Sequence, residues 1–97
     1  MSVRVCPLHR YFREEHLAQV KVEMLRRGSP TLRGYFDVES NTWFMREGTH
    51  RLRAAKALDI APTLVHVPWW RTRKSLERAR HVKHFHVFER VECEVSA

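Results

Sequence analysis

Apolar residues change their spacing several times along the chain, and each change marks an element. Val3 and Val5 alternate within Ser2–Cys6, as in a short strand, and Pro7 ends it. From Phe12 to Arg27 the spacing turns helical. Leu17, Val20 and Met24 fall on one face, while Arg13, Glu15, Gln19, Lys21, Glu23 and Arg27 supply polar cover. Glu14 and Glu15 in the first turn and Arg26 and Arg27 in the last complement the helix dipole. Gly28-Ser29-Pro30 is a stop signal. Thr31–Val38 and Thr42–Arg46 read as two strands joined by a Glu39-Ser40-Asn41 turn. Gly48 breaks the second strand, and Thr49 is placed to cap a helix over His50–Asp59. After Pro62, the apolar run Thr63–Val67 suits a buried strand.

The tail supports two readings. Ser75–His81 carries Leu76 and Ala79 at helical spacing, with Val82 following. Phe85, Val87, Val91, Cys93 and Val95 then fall on odd positions, as in a strand. The competing reading runs the helix on to Phe88, because apolar residues from Leu76 to Phe88 also recur at every third position. Helix followed by strand is the expectation. The whole predicts one domain over residues 1–97 of the α/β (α+β) class, a small mixed sheet with about three helices.

Composition narrows the function. Hydrophobic residues make up 43% and charged residues 30%, as in a globular protein rather than a disordered one. No apolar run approaches a membrane span and the start does not resemble a secretory signal, so a cytoplasmic protein without a membrane partner is expected. That setting predicts Cys6 and Cys93 as reduced, part-buried thiols. Eighteen Lys and Arg against eleven Asp and Glu give +7, which favours a polyanionic partner: nucleotide, nucleic acid or an acidic protein.

The segment from Phe44 to Ala55 is the most informative. A strand breaks at Gly48 and a helix begins at once, so free backbone N–H groups face outward with partial positive charge behind them. Thr49 adds a hydroxyl, His50 an imidazole and Arg51 a guanidinium able to grip phosphate through two bonds. Gly48, Thr49, His50 and Arg51 are therefore the candidate phosphate- or nucleotide-binding residues. The plainer alternative is a capped helix showing an Arg and a His.

This strand, Gly-x-His-Arg turn and Arg/Ala-rich helix, followed by Leu58-Asp59-Ile60-Ala61-Pro62 and an apolar strand, resembles the ParB/sulfiredoxin-like superfamily. The upstream order agrees, and the similarity covers Val3 to Val67, about two thirds of the chain. The resemblance implies nucleotide phosphates, or in some members substrate, at the turn. Sulfiredoxins carry a catalytic cysteine immediately before the His-Arg pair, where this chain has Thr49. Chromosome-partition ParB proteins have a Gly-Glu-Arg-Arg turn whose glutamate helps place the metal of a bound cytidine triphosphate; Thr49 and His50 stand at the Glu and first Arg. Their DNA-reading and dimerisation parts lie outside the match. The free-serine kinases built on this fold keep an acidic residue before the turn, as Glu47 is here. Small ParB-like proteins occur in bacteria and their phages.

A second feature follows. Between Trp69 and Lys83 stand six Lys or Arg and one acidic residue, Glu77. Trp70, Arg71, Arg73, Lys74 and Arg78 are the candidate nucleic-acid contacts, with rings to stack on bases and cations for phosphates; for Trp69 and Trp70 taken individually, core packing is the favoured reading. His81, His84 and His86 cluster without a recognisable metal spacing, and no metal site is expected.

Three functions remain, the first favoured. One is a DNA-associated or regulatory module binding a nucleotide or DNA phosphate at Gly48–Arg51. The second is a phosphotransferase or nuclease using a nucleoside triphosphate with Mg, in which Glu47 is base or metal ligand, His50 the acid/base group and Arg51 the stabiliser of phosphate charge. The third is a bacterial or phage protein-interaction module, homodimeric or with another protein, whose pocket has decayed.

Overall fold

The computed structural model describes residues 2–69 and 71–94. Trp70 and Val95, both named above, lie outside the described residues. Six strands form one mixed sheet: β1 (Val3–Cys6), β2 (Thr31–Asp37), β3 (Thr42–Met45), β4 (Thr63–His66), β5 (His86–Phe88) and β6 (Glu92–Glu94). Three helices connect them, α1 (Glu14–Arg27), α2 (Thr49–Leu58) and α3 (Arg73–Ala79). The expected class, a small mixed α/β sheet with three helices among the described residues, is what the chain adopts.

The strand order is β5-β1-β3-β2-β4-β6. β1 lies parallel to β3, β2 antiparallel to β3, and β2 parallel to β4. The register assigns the two faces, because successive strand residues point to opposite sides. Val5 pairs with Trp43, Gly34 with Met45 and Leu32 with Leu64, so these side chains share one face. They form the core with Leu17 and Met24 of α1 and Leu52, Ala54 and Ala55 of α2. Cys6, Tyr35, Phe44, Asp37 and Thr42 point to the opposite face by the same alternation. There α3 lies, held through Arg80, whose guanidinium donates to both carboxylate oxygens of Asp37 at 2.9 and 3.0 Å. Both faces are thus covered, which is why every residue of β3 is buried.

Several boundaries follow the sequence for physical reasons on view. α1 stops at Gly28, which turns to φ 85° and donates its N–H to Met24 O at 2.7 Å. The β2–β3 connection is set by Asp37, whose carboxylate accepts from the Ser40 N–H and hydroxyl, while Asn41 takes the left-handed conformation. No helix among the described residues is long and apolar enough to cross a membrane.

Three expectations need correction. Gly48, not Thr49, occupies the N-cap of α2, with φ 78° and ψ 32°, and Thr49 is the first helical residue. The tail is not one strand from Phe85: β5 pairs antiparallel to β1 at one edge, and β6 pairs parallel to β4 at the other. Both cysteines are free, but Cys93 is exposed on the edge strand while Cys6 is buried, with burial pushing its thiol up to about 11.

Candidate functional site

β1 and β3 run parallel side by side, and their carboxyl ends feed the loops that enter α1 and α2. In open α/β sheets such ends are where ligands collect. The turn Glu47-Gly48-Thr49-His50-Arg51 sits here. Gly48 is required on two counts: its left-handed backbone suits glycine, and a Cβ would come within 2.5 Å of Leu32 Cδ2. Leu52 N–H donates to Gly48 O at 2.7 Å, the first bond of the helix. The N–H groups of Thr49, His50 and Arg51 therefore precede the intrahelical ladder and have no acceptor within it.

Gly48, Thr49, His50 and Arg51 line one hollow of about 380 Å³, together with Leu8, His9, His16 and Val20. A neighbouring hollow of about 450 Å³ runs along α1 to the Gly28–Pro30 loop. The two share His16, Val20 and Arg51, so Arg51 stands where they meet. Thr49 is only 7% exposed, which leaves its backbone N–H as its main contribution.

Glu47 does not stand free beside the turn. Its Oε2 accepts from Arg33 Nε, and its Oε1 accepts from Arg51 Nη2 at 3.1 Å. Burial alone would raise the carboxyl, but the bonds and charges of Arg33 and then Arg51 outweigh it and hold the group below its ordinary value. A carboxylate so stabilised is a poor base. The cluster Arg33–Glu47–Arg51 nevertheless keeps one surplus positive charge beside the hollow.

His50 is also engaged. Its Nε2 accepts the N–H of Arg13, the residue preceding α1, at 3.0 Å. This bond fixes a neutral ring with its proton on Nδ1. The His16 ring meets it edge-on with centroids 4.4 Å apart. Burial first, and then His16, His9, Arg13 and Arg53, push the imidazole below its ordinary value. His50 thus ties the two helix starts together.

The second set of candidates lies elsewhere. Arg71, Arg73, Lys74 and Arg78 are exposed around α3, on the sheet face opposite the turn. Trp69 is half-buried, its ring 5.3 Å from Tyr35 and 6.2 Å from Phe44, as the packing alternative had it. Leu8 borders the hollow at the turn and another beneath α3, so the two regions meet only at the β1–α1 loop. His84 precedes β5 while His86 lies within it, and the described residues contain no group of three side chains suited to a metal ion.

His9, His16, Arg33 and Leu8 were not picked out from the sequence as site residues. Arg33 is 14 residues from Glu47 and Arg13 is 37 from His50, separations at which spacing carries no signal. The chain matches no family model, and no curated protein or solved structure matches it.

Proposed function

We propose that this chain is a non-catalytic binding module that takes a phosphate-bearing ligand, a nucleotide or a nucleic-acid phosphate, at the Gly48–Arg51 turn. One observation carries the reading. Thr49, His50 and Arg51, whose N–H groups precede the α2 ladder, line a hollow edged by Arg51 and three imidazoles, and no carboxylate lines it. Hydrogen bonds from backbone amides and a guanidinium are what a phosphate takes up best. The reading also draws on the resemblance of the sequence to ParB/sulfiredoxin-like domains, with which the order β1-α1-β2-β3-α2-β4 and a turn between β3 and α2 are compatible.

The geometry weighs against the phosphotransferase or nuclease. Glu47 has both oxygens on guanidiniums, so neither a base nor a magnesium ligand is at hand at the turn. The residues present fit a phosphate group and do not fit its metal. His50 would have to surrender the Arg13 bond to accept a proton from substrate.

A thermal-shift panel of phosphate, sulfate and nucleoside triphosphates, with and without magnesium, tests this. A ligand at a hundred times its Kd adds about 2.7 kcal/mol to stability, which raises melting by roughly 10–20 °C in a domain of this size. Arg51→Ala should weaken binding by roughly 10- to 100-fold, the worth of charge-assisted hydrogen bonds. Glu47→Gln separates binder from enzyme. For a binder it frees Arg51 and Arg33 and tightens the anion; for an enzyme it abolishes turnover. If no anion shifts melting in either the native chain or Glu47→Gln, the anion site is wrong and the protein-interaction module takes its place.

A further inference from the structure

Seven of the fourteen arginines of this chain are answered by a carboxylate or an aromatic ring. Arg33 and Arg51 share Glu47, Arg26 and Arg27 share Glu23, and Arg80 holds Asp37 and Glu39. Arg4 and Arg53 lie over the rings of Phe85 and Phe12. Around α3 the pattern changes. Arg71, Arg73, Lys74 and Arg78 are exposed and form no ion pair among the described residues.

Two of these cations, Arg71 and Arg78, border a hollow of about 270 Å³ between α3 and the sheet. Phe44 and Trp69 wall it, with ring planes at 75°, Ala79 faces it from α3, and Arg71 and Arg78 line it. His84 lines it too, and its Nε2 is shielded from solvent without a hydrogen-bond partner among the described residues. Aromatic walls and two guanidiniums without an ion pair among the described residues describe one ligand: a planar heterocycle joined to phosphate.

We propose that this hollow holds a base of single-stranded nucleic acid, the ring set against Phe44 and Trp69 near His84 and the flanking phosphates on Arg71 and Arg78. A paired and stacked duplex does not present a base in this way, whereas a single strand does. The site lies on the opposite face of the sheet from the Gly48–Arg51 turn and is independent of it.

Fluorescence anisotropy with a labelled oligothymidylate tests the proposal, with a duplex and an abasic oligomer as competitors. The single strand binds at least tenfold tighter than either competitor. Arg71→Ala with Arg78→Ala weakens it at least tenfold and flattens the slope of log K against log salt by about 1.4, two charges at about 0.7 each for single strands. Ala79→Trp, which fills the hollow and leaves the cations, removes the preference for bases and keeps the slope. Arg51→Ala changes nothing here, so loss of the turn's anion binding and loss of this site are told apart. Equal binding of duplex, abasic and single-stranded competitors, or an unaltered Kd in the double variant, overturns the proposal.

Discussion

His50 joins two helix starts through one acceptor, and that bond exists only while the imidazole is neutral. Since its folded pKa lies below the ordinary 6.5, the unfolded chain takes up the proton first as pH falls. The neutral ring's contribution is complete above about pH 6.5 and is lost as pH drops toward the lower folded value. His86 is shifted the same way, by burial first and then by Arg53, Lys56 and His84, and adds to the trend. Melting temperature should therefore fall between pH 7 and about 5.5. A His50→Gln variant keeps a side-chain acceptor that does not titrate, so its melting curve should be flatter over that window. A variant as pH-sensitive as the native chain would place the effect in His86 alone. The sequence offered His50 as a donor to phosphate; its second task was hidden because Arg13 is distant along the chain.

Between residues and domain, the elements show where reading by pattern succeeds. β1, α1, β2, β3, α2 and β4 each have a period, a cap or a breaker within their own few residues, and they form where those marks stand. β5 and β6 have three residues each and owe their existence to partners, β1 at one edge and β4 at the other. Alternation through Val91, Cys93 and Val95 suggested a half-buried strand, yet Glu92–Glu94 is exposed throughout, because an edge strand with nothing packed on it needs no alternation. The turn between β3 and α2 was legible because a glycine there is dictated locally. Its left-handed backbone and the Leu32 contact give that requirement a magnitude. Gly48→Ala should cost about 2–4 kcal/mol, combining left-handed strain with overpacking against Leu32. Urea denaturation measures it. Gly28→Ala, at φ 85° and ψ −152° with open space around it, meets no neighbour and should cost backbone strain alone, about 1–3 kcal/mol.

At the scale of the whole molecule the two faces of the sheet are held by different physics. α1 and α2 pack on a continuous apolar core, whereas α3 has no buried residue and is fastened through the Asp37–Arg80 pair. The Asp37 side chain is 3% exposed, so its charge is tolerable only with partners. Arg80 is the largest influence and, against burial and with help from Ser40, holds the carboxyl below its ordinary value. A lowered carboxylate stabilises the fold fully above its unfolded pKa near 3.9 and loses that contribution as pH falls through the folded value. The clamp should thus persist at neutral pH and fail in acid. Arg80→Ala leaves Asp37 buried without its main partner, at a cost of about 2–4 kcal/mol. The loss should be local before it is global, since α3 itself has no buried residue. Amide exchange should show residues 75–80 losing protection in Arg80→Ala while β1, β2 and β3 keep theirs. Asp37→Asn should weaken the clamp but remove its acid sensitivity. Uniform loss of protection in all three strands would mean that Arg80 supports the core itself. A local loss would mean that α3, which carries Arg73, Lys74 and Arg78, is held to the sheet through Arg80.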